Sequence, residues 1–315
     1  MEHYINSLAK AELHIHIEGS LEPQMIFSLA QRNKIMLPYF SIDEIKAAYQ
    51  FTNLQSFLDL YYQGMSVLQT SEDFYDLMLA YLQKASQQNI MKAEIFFDPQ
   101  GHLLRGIDWP IFMSGFKNAI DYAKDNLGIN ASLIMCFLRH LPEVDAIKTF
   151  EAAMDYRDLF IGIGLDSSEI GYPPQLFKNV FRMAKDAGLY LVAHAGEEGD
   201  ASYVWGAIDD LGVDRIDHGN NAITDIELVK RIAKDGLTLT MCPLSNQRLQ
   251  SVPDLSKHQL RKFMDYGVKV TINSDDPAYF GGYLNENYLA LAKSLDLTKD
   301  ELSIIAQNSL DACFI

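Results

Sequence analysis

Two histidines separated by one residue stand near the start of the chain, in the stretch Glu12-Leu-His-Ile-His-Ile-Glu-Gly19. Side chains alternate between the two faces of a β-strand, so an extended stretch points His14 and His16 the same way, with both glutamates on that face. Two convergent imidazoles suit a metal ion such as Zn²⁺. Because a zinc site takes three or four ligands, a strand with two satisfied polar residues is an equally good interpretation of this stretch alone.

Four later apolar runs end in polar residues that can do chemistry. They end as Ala193-His-Ala-Gly-Glu-Glu-Gly199, Ile216-Asp-His-Gly219, Cys242-Pro-Leu-Ser-Asn246 and Asn273-Ser-Asp-Asp-Pro277. Each signal is weak by itself, because His194 can be a core histidine, Asp275 a helix cap and Glu197 a solvated carboxylate. The remaining histidines are expected in surface or packing roles: His3, His102, His140 and His258.

Taken together, these residues predict a metal centre. Three imidazoles and one carboxylate form a ligand set that suits Zn²⁺ and leaves a position for a water molecule. The predicted ligands of one zinc ion per chain are His14, His16, His194 and Asp275. A single carboxylate leaves the site net positive, which favours ionisation of the water and brings its pKa toward ~7. We therefore expect hydrolytic chemistry at neutral pH.

A hydrolase of this kind also needs a proton donor, and Glu197 is the candidate. It stands three residues after His194, in the turn that leaves the strand, where it can reach substrate while the metal is held. Burial can raise the pKa of such a carboxyl toward ~6 to 7, the range useful to a general acid. His218 would border the metal-bound water as a base or an electrostatic stabiliser. Asp276 is expected on the opposite side of the backbone from Asp275, free to bind substrate.

The elements that position these residues alternate regularly along the chain. The predicted strands are residues 11–17, 93–98, 132–138, 160–165, 190–195, 215–218, 237–242 and 268–274. Segments of helical periodicity separate them, which implies right-handed βαβ units and a parallel sheet. Eight such units predict an α/β fold, a (β/α)₈ TIM barrel, whose active-site residues lie at the carboxyl ends of the strands. The chemical residues above fall at those ends.

The first interval between strands is irregular. About seventy residues lie there, and they predict helices at 23–34, 42–49, 53–68 and 72–87. We interpret residues 1–315 as a single metal-dependent hydrolase domain with a helical insertion at about 20–90 and a helical tail over 285–308. The insertion leaves the active face of the barrel, where four residues are candidates for a lid, although core packing is the favoured role for any one of them. They are Phe57, Leu58, Tyr61 and Tyr62.

Composition excludes several function classes. A formal net charge of −16 argues against a nucleic-acid partner, which would need clustered Lys and Arg. No apolar run approaches the ~20 residues that span a bilayer, so no membrane partner is expected. An odd number of dispersed cysteines disfavours a disulfide framework and predicts a cytoplasmic location: Cys136, Cys242 and Cys313. No feature of the sequence specifies an oligomeric state.

From about residue 7 to residue 312, the chain resembles the zinc-dependent adenosine and adenine deaminases of the amidohydrolase superfamily. Their signatures His-x-His, His-Ala-Gly-Glu, His-Gly, Cys-Pro-x-Ser-Asn and Ser-Asp-Asp-Pro all occur here in order. The resemblance implies that the four ligands above hold zinc and that the partner is a small purine. It also implies that Glu197 protonates purine N1, that His218 assists the metal-bound water, and that Asp276 bonds N7.

Within this family the chain is more similar to the adenine deaminases of bacteria and fungi. The matching stretches are Phe96-Phe-Asp-Pro-Gln100, Cys136-Phe-Leu-Arg-His140, Gly164-Leu-Asp-Ser-Ser-Glu169 and Asp275-Asp-Pro-Ala-Tyr-Phe-Gly-Gly282. Glu18 stands where the adenosine branch has an aspartate that meets the ribose, and Ser167 stands where that branch has a glycine near purine N3. With Glu169 nearby, the resemblance implies that these residues bind a free base. It implies hydrolysis of adenine to hypoxanthine and ammonia, a purine-salvage reaction.

Several alternatives stay open. Departures from the adenine deaminase pattern at Tyr172, residues 200–201 and residues 220–221 could widen the pocket, so adenosine or N6-substituted adenines are alternative substrates. Another single-metal amidohydrolase acting on a different ring is a second alternative. A catalytically silent purine-binding protein is a third, disfavoured by the intact acid and ligand set. A cytidine-deaminase-like site is excluded because its His/Cys/Cys signature is absent.

Overall fold

A computed structural model describes residues 1–315 and forms a parallel eight-stranded barrel. The strands are β1 (Lys10–His16), β2 (Ile90–Phe97), β3 (Asn130–Leu138), β4 (Phe160–Asp166), β5 (Tyr190–Ala195), β6 (Arg215–His218), β7 (Thr238–Met241) and β8 (Lys269–Ile272). Each strand pairs with its neighbour in chain order. The barrel closes where the His16 amide donates to the Asp275 carbonyl and the Asp275 amide donates to the His14 carbonyl, each at 3.0 Å. The predicted TIM barrel is confirmed.

Sixteen helices surround or extend the barrel. They are α1 (Glu2–Ser7), α2 (Pro23–Arg32), α3 (Ile42–Ala48), α4 (Leu54–Met65), α5 (Ser71–Gln87), α6 (Pro99–Leu103), α7 (Trp109–Leu127), α8 (Glu143–Ala153), α9 (Lys178–Asp186), α10 (Ala201–Gly206), α11 (Ile226–Asp235), α12 (Pro243–Arg248), α13 (Leu260–Asp265), α14 (Pro277–Phe280), α15 (Leu284–Leu295) and α16 (Lys299–Asp311). None of them is both long enough and apolar enough to cross a bilayer.

Local chemistry explains where the insertion helices begin. The Asn53 side chain accepts from the Ser56 amide while the Ser56 hydroxyl accepts from the Asn53 amide, and Thr70 and Asp73 form the same reciprocal cap at α5. Such caps satisfy amides that the first helical turn leaves unpaired. The four helices predicted between the first two strands are therefore present as α2–α5, with their ends shifted by at most three residues.

The chain's two ends differ from the sequence expectation. The expected single tail over 285–308 is two helices, α15 and α16, because Asp296 adopts a left-handed conformation with φ of 51° between them. Aspartate is one of the few residues that enter this region readily. Helix α1 was not anticipated, since six residues make too short a window for a periodic signal.

A small apolar cluster inside the barrel lies beneath the predicted metal ligands. It consists of Phe96, Ile134, Cys136 and Val192, all fully buried. The Phe96 ring lies 5.1 Å from the rings of both His14 and His16, measured between centroids. Through Phe96, this apolar cluster packs against both imidazoles.

Candidate metal centre and active site

Strands β1 and β5 and the residues after β8 bring the four predicted ligands together. His14 Nε2 lies 3.3 Å from Asp275 Oδ1, and His16 Nε2 lies 3.5 Å from the same oxygen. His16 Nε2 is 3.1 Å from His194 Nε2. All four side chains are buried. The ligand atoms of His14, His194, His218 and Asp275 all lie within 4.8 Å of one another, and His16 borders this group. The four predicted ligands are therefore close together, and their binding of one ion stays a prediction.

The other ring nitrogens show that these residues fit a metal ion. Each Nδ1 atom faces an oxygen: His14 faces Thr240 at 2.9 Å, His16 faces Asp166 at 3.5 Å and His194 faces Asp217 at 3.6 Å. The Thr240 contact is a hydrogen bond that can hold the His14 proton on Nδ1 and leave the Nε2 lone pair directed inward, as in histidines that ligate metals. The two carboxylate contacts are longer, and His194 Nδ1 has no hydrogen-bond partner. The buried Nε2 of His14 has no hydrogen-bond partner. A divalent cation would satisfy these converging lone pairs.

The electrostatics of the centre also suit a cation. Burial lowers the pKa of His16 to about 3, so its imidazole is neutral. Although burial works in the opposite direction, His14 and His218 hold the pKa of Asp275 well below its usual range. A neutral imidazole and an ionised carboxylate are the protonation states that metal ligands require. His14 differs, because its burial is outweighed by the charges of Asp275 and Asp217, which raise its pKa.

Three residues at the strand ends have unusual backbone conformations. Ser167 after β4, His218 at the end of β6 and Asp275 after β8 adopt φ values of 74°, 62° and 64°. Left-handed conformations are uncommon for residues other than glycine and cost free energy. All three side chains line the same cavity, so the strain coincides with the place where the chain turns functional groups inward.

The cavity above the metal centre contains about 380 Å³ of empty space. Its polar wall includes the predicted acid Glu197, with Oε2 3.6 Å from His218 Nε2, and the predicted substrate residue Asp276. Burial, together with the charges of Asp275 and Glu169, raises the pKa of Glu197 well above its usual range. A raised pKa favours the protonated form of the carboxyl, which is the form that a general acid needs.

Helix α4 supplies much of the apolar wall. The four residues considered for a lid all line the cavity, joined by Leu54 and by Leu249, which follows α12. Phe57, Leu58 and Tyr61 are also buried. These residues therefore pack in the core and line the cavity at the same time. That α4 opens as a lid stays a prediction.

Ser167 lies on the cavity wall, a position from which it could contact a substrate as predicted. Its Oγ is 3.1 Å from the Tyr62 hydroxyl and 2.8 Å from His140 Nδ1. His140, expected in a surface or packing role, is thus part of the layer behind the cavity. The sequence signal for it was its position just after strand β3.

Glu169 is buried but does not line the cavity. One carboxylate oxygen accepts from the Gly196 amide at 2.6 Å, and the other accepts from the next three amides at 2.8 to 3.0 Å. These four amides belong to residues 196–199, the loop that carries Glu197. The structure therefore gives Glu169 a positioning role in place of the expected contact with substrate.

Glu18 also lies away from the cavity lining. Strand β1 ends at His16, and Ile17 has a helical conformation with φ of −60° and ψ of −39°, so the alternation of side chains stops before Glu18. The Glu18 carboxylate accepts from the Asp98 amide at 3.2 Å and pairs with His102 Nε2 at 2.8 Å. The expectation that Glu18 shares a face with the histidines is wrong, because the strand is one residue too short.

Several residues of this site were missed. Asp98 and Asp166 line the cavity, and Asp217 accepts from the Thr240 hydroxyl at 2.9 Å behind the centre. Arg139 donates to the His194 carbonyl at 2.6 Å. Each lies within or directly after a strand near its carboxyl end, which was the available signal.

Comparison with known proteins agrees with this geometry. A family model described as adenosine deaminase matches residues 9–315, nearly the whole chain. The chain belongs to the adenosine deaminase family.

Relatives in the adenosine deaminase family include a protein named adenine deaminase from Caulobacter vibrioides. It is 54% identical over 312 residues, which cover 99% of this chain and 91% of the relative. The crystal structure of an adenine deaminase from Arthrobacter aurescens has a TM-score of 0.96 at 45% identity, covering 98% of this chain and 94% of that one.

A second solved structure is an amidohydrolase from Burkholderia ambifaria with bound Zn. It has a TM-score of 0.91 at 28% identity and covers 100% of this chain and 88% of its own. In this chain His14, His194, His218 and Asp275 form a possible metal site.

Proposed function

We propose that the protein hydrolyses adenine to hypoxanthine and ammonia, using one Zn²⁺ ion held by the four predicted ligands. The observation that carries this proposal is the position of Glu197. A buried, protonated carboxyl stands beside convergent imidazoles in a small cavity, in a chain 54% identical to a protein named adenine deaminase. The small-molecule partner is a purine base.

The metal ligands proposed here are His14, His16, His194 and Asp275, since their Nε2 and carboxylate oxygen atoms converge. When bound, Zn²⁺ acts as a Lewis acid and makes water acidic enough to attack at neutral pH. Thr240 is hydrogen-bonded to His14 Nδ1 and holds that ring in the orientation that this ligand set needs, and the carboxylates of Asp166 and Asp217 face the other two rings.

Glu197 donates its proton to purine N1, which makes C6 electrophilic. Its raised pKa supplies the proton at neutral pH, and the four amide hydrogen bonds to Glu169 hold its loop in place. His218 borders both the acid and the metal centre, with Nε2 3.6 Å from Glu197 and 3.7 Å from Asp275. From there it orients the attacking water and stabilises the charge that develops at C6.

Two further residues orient the ring. Asp276 Oδ1 is buried without a hydrogen-bond partner, and we assign the protonated Asp276 carboxyl as the donor to N7. Burial and the charge of Asp275 raise the pKa of Asp276 well above its usual range, which favours that form. Ser167, on the opposite part of the wall, is assigned to N3, where its hydroxyl can donate. Glu18 and Glu169 act indirectly, through the residues that they hold. We propose that the protein works in the cytoplasm, where three thiols that form no disulfide stay reduced.

A purine panel tests this function. Ammonia release by the zinc-loaded protein is compared for adenine, adenosine, 2′-deoxyadenosine and N6-substituted adenines. We expect the highest kcat/KM for adenine, because the cavity is small and enclosed by α4. Faster release from adenosine, or from an N6-substituted adenine, would contradict the assignment, and zinc binding without any ammonia release would identify a silent purine-binding protein.

A further inference from the structure

Asp98 lies beside Asp166 at the cavity wall and has no role in the reaction described so far. Asp98 follows β2 and Asp166 ends β4, and their carboxyl oxygens lie within 4.8 Å of each other and of a His16 ring nitrogen. Each residue is only 2% exposed. In both, Oδ1 is buried and has no hydrogen-bond partner. A buried acceptor without a donor costs free energy unless a ligand supplies the donor.

Asp98 is held so that one oxygen stays available. The Tyr61 hydroxyl donates to Asp98 Oδ2 at 3.2 Å, and the Asp98 amide donates to Glu18 Oε1 at 3.2 Å. Glu18 is in turn paired with His102 at 2.8 Å. The backbone and one carboxylate oxygen of Asp98 are therefore fixed, and Oδ1 is left as a rigid acceptor at the cavity wall.

The order of the strands around the barrel indicates which part of a purine meets this acceptor. Asp276 follows β8, Asp98 follows β2, Ser167 follows β4 and Glu197 follows β5. Around the rim of a purine the nitrogens occur in the order N7, N9, N3, N1. With N7 at Asp276, N3 at Ser167 and N1 at Glu197, the nitrogen that remains is N9, between N7 and N3. Among the carboxyl groups that line the cavity, Asp98 is the one whose strand, β2, lies between β8 and β4.

Resting on the proposed adenine deaminase function, we propose that Asp98 Oδ1 accepts a hydrogen bond from the N9–H group of adenine and so selects the free base. In adenosine and 2′-deoxyadenosine a sugar replaces this hydrogen. A nucleoside therefore leaves Oδ1 unpaired and also places a sugar against the wall formed by Asp98 and Tyr61. A site built to pair with an N–H group discriminates strongly against an analogue that lacks it.

The test compares adenine with 9-methyladenine, which keeps the ring and loses the N9 hydrogen. Wild-type protein, Asp98→Ala and the isosteric Asp98→Asn are assayed for kcat/KM with both compounds and for zinc content. Asp121→Ala, which removes an exposed carboxylate on α7, is the matched control. We expect wild type to favour adenine by at least about 100-fold, and Asp98→Ala to lose about 10- to 100-fold with adenine while 9-methyladenine is unchanged or improved.

The ratio of kcat/KM for adenine to kcat/KM for 9-methyladenine, compared between wild type and each variant, tests the proposal. Asp98→Asn, which preserves side-chain volume, should lower the adenine rate while retaining zinc, and Asp121→Ala should match wild type. Equal loss with both compounds, or a wild type that accepts 9-methyladenine as readily as adenine, would overturn this inference while leaving adenine deamination intact. Absence of adenine turnover by wild type would overturn the proposed function and this inference together.

Discussion

At the scale of single residues, the site depends on carboxyl groups with different protonation states. Asp275 faces imidazoles and stays ionised, whereas Glu197 is buried among other carboxylates and keeps its proton. Both are buried to a similar degree, so their neighbours, rather than burial alone, separate a metal ligand from an acid. This separation of pKa values assigns their roles.

Glu197→Gln keeps the shape of the acid and removes its proton. We expect turnover of adenine to fall by about 10²- to 10⁴-fold with zinc content unchanged. Ammonia release and metal analysis measure both quantities. Glu198→Gln, which alters the half-buried neighbour that does not line the cavity, is the control and should retain most turnover. An unchanged rate for Glu197→Gln would reject its role as the acid.

Removal of the metal should abolish activity and lower stability together. A chelator competes for an ion bound only by the folded state, and saturation at 1,000 times Kd stabilises that state by about 4 kcal/mol. Ammonia release and the thermal midpoint are followed as Zn²⁺ is removed and returned. Asp275→Ala should lose zinc and activity and should not regain them on addition of Zn²⁺. Full activity of metal-free protein would contradict the zinc assignment.

At the scale of elements, the turn after β4 supports the turn after β5. Glu169 receives amide hydrogens from all four residues of the loop 196–199, and this loop carries the acid. Charge-assisted hydrogen bonds of this kind are stronger than neutral ones. The position of Glu197 is therefore determined by a neighbouring strand as well as by its own.

Glu169→Gln replaces one accepting oxygen by an amide nitrogen that cannot accept. We expect kcat to fall by about 10- to 100-fold, since a displacement of about 1 Å is enough for such a loss, with zinc retained. Steady-state kinetics measure the loss, and amide exchange of residues 196–199 should become faster. Normal kcat with unchanged exchange would show that the four hydrogen bonds do not position the acid.

At the scale of the whole molecule, one end of the barrel holds the active site and the other end contributes to stability. The carboxyl end holds the site, while a buried ion pair crosses the other end, where Arg215 Nη1 lies 2.5 Å from Glu94 Oε2. Arg215 also donates to the Leu13 carbonyl at 3.1 Å, and its guanidinium lies 4.5 Å from the Phe314 ring centroid. This pair joins β2, β6 and the end of the chain.

Glu94→Ala tests whether this ion pair affects stability without affecting the active site. It leaves the Arg215 charge buried and unpaired, which we expect to destabilise the protein by about 3–5 kcal/mol. Denaturant unfolding monitors the loss, while kcat/KM and zinc content of the remaining folded protein should be close to wild type. A large fall in kcat/KM without loss of stability would show instead that the two ends are coupled.

Much of this arrangement was predictable from the sequence, because the signals are local. Apolar runs and glycine-containing turns predicted the eight strands, and the motifs at their ends predicted the convergence of His14, His194 and Asp275. Helical periodicity predicted the four insertion helices, and the caps at Asn53 and Thr70 account for where two of them begin. Each of these signals depends on a few adjacent residues and on the rule that parallel strands place their carboxyl ends at one rim.

Tertiary structure decided the roles of the residues between the motifs. The sequence by itself determined which residues reach the rim, but Glu18 and Glu169 turn to protein partners, and Asp98 presents the open acceptor to the cavity. These outcomes depend on contacts between distant elements: Glu18 with His102 of α6, Glu169 with the loop after β5, and Asp98 with Tyr61 of α4. Periodicity specifies the direction of a side chain only while the strand continues, and beyond its end the packing of other elements decides.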